Sequence, residues 1–397
     1  MNPTIKKLHN IAQKPSRTII GLMSGTSLDG LDIALCEIYG SGRTTNIELK
    51  NFKTIFYDPN LKKRLKGITS VPQASMVEVC LLHSRLGNFH GELILEILKK
   101  WGIDQSQIDC IASHGQTIYH APKRQHHQPD MPNATLQIGD GDHIAHKTGV
   151  LTVSDFRQKH TAAGGEGAPM AAFVDRMLFT DNRKDRILLN IGGIANFTYL
   201  PPHTSDKKPI TTDTGPGNTL IDNAVQKYFD DDFDKDGHIA KRGTVHATAL
   251  QALKSDSYFE SSLPKTTGPE FFNMNWVDNR LSKAGVHNLS SEDLVATLTR
   301  LTAETIAETI NNISDDDSNT SLYVSGGGFH NPVLMEWLRE LLPDFAIGSF
   351  AEIGFNPDAK EAVLFAVLAN EMLAGEGFLM DADGDKKINF GKISFPD

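Results

Sequence analysis

What most constrains this chain is a strand–turn–strand unit that occurs twice, roughly half a chain apart. In the first, the apolar run at 18–23 meets Ser24-Gly25-Thr26-Ser27-Leu28-Asp29-Gly30 and continues into 31–38, where Leu31, Ile33 and Leu35 alternate with their neighbours. In the second, residues 186–190 run into Ile191-Gly192-Gly193 and on into 194–200. Period-two alternation around a Gly/Ser/Asp tip reads as a β-hairpin. The residues of the two units hardly match, so the shared plan predicts two domains of related fold. Further strands are expected at 108–113, 149–156 and 321–324. Helical patterns fill 76–100, 170–179, 219–229, 245–258, 291–312, 332–342 and the strongly apolar 360–373. Strands alternating with helices define the α/β class.

The chain's 397 residues, 39% of them apolar, suffice for two sizeable cores. A net charge of −10 argues against nucleic acid or a membrane surface as a standing partner. No run approaches the roughly 18 apolar residues of a membrane span. Cys36, Cys80 and Cys110 form no CxxC pair and fit free thiols, so a cytoplasmic location is expected. Residues 1–16 read as a flexible polar extension, Pro122 to Pro132 as a surface loop, and Asp315-Asp316-Asp317 as a solvated loop.

Four glycine-bearing segments carry the candidate chemistry. Gly25 to Gly30 either brings backbone and hydroxyl donors to a phosphate or is an ordinary hairpin turn. It is not a Walker A loop, because the Gly-Lys-Ser/Thr ending is missing and a strand follows. Asp213-Thr214-Gly215-Pro216-Gly217-Asn218 reads as a loop leading into a helix N-terminus that can receive an anion. Asp213 at its mouth either faces a cleft or bonds its own loop. Ser325-Gly326-Gly327-Gly328, before a helix opening at Pro332, either lies flat against an adenosine or allows close helix–strand packing. Gly164-Gly165-Glu166-Gly167-Ala168-Pro169 suits a substrate loop. His114, behind a strand end, either touches substrate or bonds nearby backbone.

Taken together, the stretches GLMSGTSLDGLD (21–32), SHGQT (113–117), LQIG (136–139), DFR (155–157), GGEGAP (164–169), NIGGIAN (190–196), DTGPGN (213–218), FDKDG (233–237), PKTTG (264–268), GGGFHNP (326–332) and Lys360-Glu361-Ala362 resemble the anhydro-N-acetylmuramic acid kinase family, in the family's order. That family belongs to the superfamily of sugar kinases, actin and Hsp70-type ATPases. The resemblance implies two ribonuclease-H-like domains, here 17–155 completed by 362–397, and 156–361, around a nucleotide cleft. It implies ATP and Mg2+ as cofactors and an anhydrosugar as substrate. ATP would be held by Gly25, Thr26, Ser27, Leu28, Asp29, Gly30, Leu31, Asp32, Gly215, Gly217, Asn218, Gly326, Gly327 and Gly328. Asp213 would be the catalytic base. Gln137, Arg157, Gly165, Glu166 and His114 would face the sugar, and Asp29 and Glu361 the metal. A homodimer is expected, since kinases of this type are often dimers.

The sequence departs from the family pattern at Glu166, where Gln is usual, and at Gln158-Lys159-His160, where further arginine is common. Several motifs are shared with levoglucosan kinases, which keeps that anhydrosugar as an alternative; a nucleotide-switched ATPase is another. Calcium is excluded for the EF-hand-like run from Asp232, because position twelve is Gly243 in place of a bidentate Glu.

Overall fold

The computed structural model describes every residue except 1, 26–27, 169, 314–319, 355, 357, 380–386 and 397. Thr26 and Ser27 of the first glycine turn, Pro169 and the Asp315-Asp316-Asp317 run therefore lie outside the described residues. The chain forms two compact units, Met1–Leu178 with Asp358–Asp397, and Phe179–Pro357. The boundaries thus differ from the expected 155/156 and 361/362.

In chain order the strands are β1 (Ser16–Ser24), β2 (Gly30–Tyr39), β3 (Asn46–Phe56), β4 (Cys110–Ala121), β5 (Ala134–Ile138), β6 (Thr152–Ser154), β7 (Asp185–Ile191), β8 (Ile194–Leu200), β9 (Ile210–Pro216), β10 (Thr320–Ser325), β11 (Ala346–Ser349), β12 (Phe378–Leu379), β13 (Lys387–Ile388) and β14 (Lys392–Ser394). The first unit's sheet has the order β14-β6-β4-β1-β2-β3, with β5 paired to β4. Its first three strands form an antiparallel meander; β4 joins β1 and β6 joins β4 in parallel. The second unit's order is β11-β10-β7-β8-β9, again a meander with two parallel strands added beside its first. This shared 3-2-1-4-5 plan is the ribonuclease-H-like topology, built twice. Parallel neighbours need a crossover, supplied by the helices Met76–Trp101 and Ser291–Asn311.

On one face of the first sheet, Leu82, Leu86, Ile94 and Ile97 of the helix Met76–Trp101 meet Ile20, Leu22, Ile33 and Ile111. That helix starts at Ser75, whose side chain accepts from Glu78 N–H, and stops at Gly102 in the left-handed region. The helix Lys360–Ala374 packs across β1, β2 and β4. Its approach is so close that a Cβ on Gly21 would lie 1.9 Å from the Ala362 carbonyl oxygen.

The first residues form a helix, Pro3–Ala12, contrary to the expected flexible extension. Asn2 caps it through Thr4 N–H, and Ile11 is buried. Its end is held by Arg17, a buried arginine whose Nη1 donates to the carbonyls of Ala12 and Lys14. The same guanidinium reaches Gly40 O and Asn370 Oδ1, both at 2.6 Å. Beside it, the buried Glu371 accepts Gly42 N–H on both oxygens. Dehydration lowers the Arg17 pKa, while the charges of Glu371 and Asp109 oppose that shift. Among the described residues no helix is long and apolar enough to cross a membrane.

Removing one member of a buried ionic network strands the charges that remain, at a cost of roughly 3–5 kcal/mol. Arg17→Met is therefore expected to lose about that much stability in urea unfolding. A loss under about 1 kcal/mol, the value of an exposed pair, would show that the network is not a clamp.

Candidate active site

The first glycine turn rests on a buried chain of hydrogen bonds with a fixed direction. Gln116 Nε2 donates to the carbonyls of Gly25 (3.0 Å) and Thr117 (3.3 Å), so its Oε1 must be the atom facing Ser24. Ser24 Oγ therefore donates to Gln116 Oε1 at 2.5 Å and accepts from Tyr57 O–H at 2.9 Å. Tyr57 in turn accepts from His90 Nε2–H at 2.8 Å. His90 must then carry its proton on Nε2, and its buried Nδ1 has no partner among the described residues. Burial pushes the His90 pKa down to about 3 and raises that of Tyr57.

Of the residues expected to hold ATP in this unit, Leu28 and Leu31 turn their side chains into the core, 4% and 1% exposed. They can offer a ligand only main chain. Gly30 is required by the sheet, since a Cβ there would lie 2.3 Å from Ile55 O. Asp29, expected to share a metal with Glu361, is exposed and ion-paired to Lys62 at 2.5 Å. The carboxylate whose charge reaches Glu361 is Asp32. Dehydration raises the Asp32 pKa, Thr54 O–H donating to Oδ1 opposes this, and the charge of Asp358 adds to it. Glu361 has a solvent-exposed side chain in a crowded position. Dehydration raises its pKa, Lys360 lowers it, Asp32 raises it and Arg157 lowers it. The exposure keeps its carboxylate in touch with water, which screens the upward shift.

A carboxylate whose pKa is raised by the charge of a second one, as that of Glu361 is by Asp32, is a natural place for a cation. Among the described residues no three His, Cys, Asp or Glu side chains converge as an all-protein cage. Mg2+ does not need one, because it is held by one or two carboxylates with water and phosphate oxygens.

The expected sugar-side residues lie in the same unit. Arg157 donates through Nε to His114 Nε2 at 2.9 Å and through Nη1 to Gly167 O at 3.1 Å. His114 is 2% exposed and packed, tilted, against Phe365 with 4.7 Å between ring centroids, so it orients Arg157 and does not face solvent. Burial and the adjacent guanidinium push its pKa down to about 3. Gln137 is buried on β5 with its Nε2 bonded to Thr117 and Thr135. Gly165 lies against the His160 ring, with 2.0 Å between a Cβ and Nε2, so packing accounts for that glycine. Glu166 is paired with Arg124.

In the second unit Asp213 sits on β9, opposite Asn196, where a loop was expected. Its Oδ2 accepts Thr267 N–H at 2.8 Å and its own N–H donates to Lys265 O at 2.9 Å. The Lys265 ammonium stands 4.6 Å over the Tyr258 ring and donates to the Tyr258 and Phe259 carbonyls. The segment 264–268 thus clamps the carboxylate from one side. Gly215 lies against Phe259. The amides of Gly217, Asn218 and Thr219, expected to meet an anion, donate to the Gly192 and Gly193 carbonyls of the β7–β8 turn.

The triple glycine resolves into two roles. A Cβ on Gly326 would meet Asn190 Oδ1 at 2.7 Å, and one on Gly328 would meet Ile191 Cγ2 at 2.3 Å, so both serve packing. Gly327 is exposed, with nothing closer than Asn218 Nδ2 at 3.4 Å. Sequence reasoning missed Ser24, Tyr57, His90, Arg124 and Thr267 as contributors. The motifs SHGQT and PKTTG carried the signals for Gln116 and Thr267.

A doubled ribonuclease-H-like fold, with a glycine turn between the first two strands of each copy and a clamped carboxylate on β9, defines a phosphotransferase of the sugar-kinase type. The sequence profile of anhydro-N-acetylmuramic acid kinase matches residues 17–390, and the chain belongs to that family. It is 48% identical over 401 residues to the anhydro-N-acetylmuramic acid kinase of Pseudoalteromonas atlantica, covering 100% of both chains. It is 39% identical to that of Caldanaerobacter subterraneus subsp. tengcongensis, covering 98% of this chain and 99% of the relative. Among solved structures it is similar to the activator of 2-hydroxyisocaproyl-CoA dehydratase from Clostridium difficile with bound ADPNP. That likeness has a TM-score of 0.43 and 12% identity, over 90% of this chain and 96% of that one.

Two outcomes follow from this geometry. Gly326→Ala and Gly328→Ala should lower the thermal midpoint, whereas Gly327→Ala should stay within about 0.5 kcal/mol of the parent. Equal losses for all three in thermal unfolding would remove the distinction. His90 and His114, neutral when folded, protonate near pH 6.5 once unfolded. Their contribution is complete above pH 6.5 and is lost as pH falls toward about 3, with each slope approaching about 1.4 kcal/mol per pH unit. Urea midpoints between pH 7 and 5 should fall accordingly, and His90→Gln should make that dependence shallower; an unchanged slope would refute a neutral buried His90.

Proposed function

We propose that the protein uses ATP and one water to convert 1,6-anhydro-N-acetylmuramic acid into N-acetylmuramic acid 6-phosphate and ADP. On this reading it works in the cytoplasm, in the recycling of peptidoglycan sugar and amino sugar catabolism. The observation that carries the reading is the family match from 17 to 390 together with the clamped carboxylate of Asp213.

Asp213 takes a proton from water, whose oxygen attacks the anomeric carbon. The bond from that carbon to O6 breaks, and O6 takes the γ-phosphoryl group as ADP leaves. Thr267 N–H on Oδ2 fixes the rotamer of the base. A positioned carboxylate is an effective general base, and phosphoryl transfer asks chiefly for positioning and charge stabilisation. The main chain of the β1–β2 turn, set by Gln116, would meet the phosphates, and Gly327 the adenosine. Asp32 and Glu361 would hold Mg2+, which supplies charge neutralisation on the phosphates. Arg157, oriented by His114, would bind the sugar.

The test compares phosphorylation of 1,6-anhydro-N-acetylmuramic acid, levoglucosan, glucose and N-acetylglucosamine. A higher kcat/KM for levoglucosan would overturn the substrate, and turnover of glucose alone the reaction class. In ¹⁸O-labelled water the label should enter the sugar at its anomeric carbon and leave phosphate unlabelled. Asp213→Asn should lower kcat by about 10²–10⁴ with nucleotide affinity and stability little changed. Retention of kcat within a few-fold would remove Asp213 from the role of base.

A further inference from the structure

Around Thr135 the first unit gathers polar groups that the fold leaves unsatisfied. Thr135 O–H donates to the Tyr119 carbonyl at 3.3 Å, so its oxygen is free only to accept. Gln137 Nε2 donates to that oxygen at 2.7 Å and to Thr117 Oγ1 at 3.1 Å, which settles the orientation of the amide. Gln137 Oε1 is thereby left buried with no partner among the described residues, on a side chain 8% exposed. His120 lies opposite Thr135 in the β4–β5 register, and its buried Nδ1 is also without a partner. An orphaned buried polar atom is costly to the fold alone, and Gln137 Oε1, an acceptor, suits a ligand that donates.

The surrounding charges are arranged in a particular way. Arg124 Nε donates to both oxygens of Glu166 at 3.1 Å, the side chains being 46% and 36% exposed. Glu166 precedes Gly167, which sits against the Thr135 methyl and Arg157 Cβ. Burial lowers the His120 pKa, and the charges of Arg157, Glu166 and Arg124 all reach its ring. An exposed ion pair adds little stability and is readily exchanged.

We propose that Glu166 occupies Arg124 in place of the substrate's own carboxylate, and that an acidic sugar displaces it. The lactyl carboxylate then pairs with Arg124, while Gln137 Oε1 accepts an amide N–H or a hydroxyl of the same sugar. Arg124 and Glu166 become the residues that select a carboxylate-bearing anhydrosugar over a neutral one. This inference rests on the kinase reading given above and goes beyond it in naming what reads the acid.

The experiment measures binding by titration calorimetry and turnover by phosphorylation. The probes are 1,6-anhydro-N-acetylmuramic acid and 1,6-anhydro-N-acetylglucosamine, which lacks only the lactyl ether. Arg124→Gln should lower the acid-to-neutral ratio of kcat/KM by roughly 10–100-fold, the value of a charge-assisted hydrogen bond. Glu166→Gln should raise that ratio by about two- to fivefold at low salt and less at high salt. If Arg124 and Glu166 only fasten their loops, Arg124→Gln would weaken both sugars alike and leave the ratio unchanged, which overturns the proposal. A lower ratio in Glu166→Gln would also overturn it. Wild-type protein that binds and phosphorylates the acid with an unaffected Arg124→Gln refutes this inference alone, whereas wild type that binds neither sugar refutes the kinase reading and this with it.

Discussion

The backbone of β1 and the backbone of the helix Lys360–Ala374 touch at Gly21, with no side chain between them. Much of the first unit follows from that contact. The helix cannot rise off the sheet without opening a void, and Arg17, bonded to Asn370 near its other end, keeps it from rotating about the contact. Glu361, in the first turn, is therefore placed by main chain and by a buried guanidinium. So is Phe365, one turn further on, against which the ring of His114 packs while it orients Arg157. Arg157 and a carboxylate coupled to Asp32 thus take their positions from one close crossing.

The sequence showed the two hairpins because Leu31, Ile33 and Leu35 alternate against a glycine tip, and the repeated topology confirms the α/β reading. It hid β9, since Thr211-Thr212-Asp213-Thr214-Gly215 has no apolar alternation to reveal it. β9 is an edge strand paired only with β8, and such edges are often polar. β3 alternates Ile47 and Leu49 with Glu48 and Lys50, a period-two signal that the sequence reading passed over. Within the site, motif resemblance singled out Asp213, Gln137 and Arg157 as candidates. It did not set Asp32 beside Glu361, although strict alternation, with Leu31 and Ile33 buried, already puts Asp32 on the opposite face. Nor could it tell Gly327 from its two neighbours, because only the distance of Ile191 and Asn190 separates a packing glycine from an exposed one.

Electrostatically the first unit keeps like charges close and the buried His90 and His114 neutral. Asp32 and Glu361 are pushed up by dehydration and by neighbouring carboxylates, the state in which a cation binds with most benefit. His114 is held neutral by burial and by the same guanidinium it orients, so its Nε2 lone pair stays available to Arg157 near neutrality.

The chain from His90 through Tyr57, Ser24 and Gln116 to Gly25 O has one further consequence. Each hydroxyl in it has a single proton, and each proton is committed in the same direction. Turning the Gly25 carbonyl away would leave a Gln116 donor unmet, and the fault could be repaired only by reversing every link back to a histidine that would then need its other tautomer. A peptide flip in the turn is thus a collective event reaching into the helix Met76–Trp101. The Gly25 carbonyl is thereby held as firmly as the core it is bonded to.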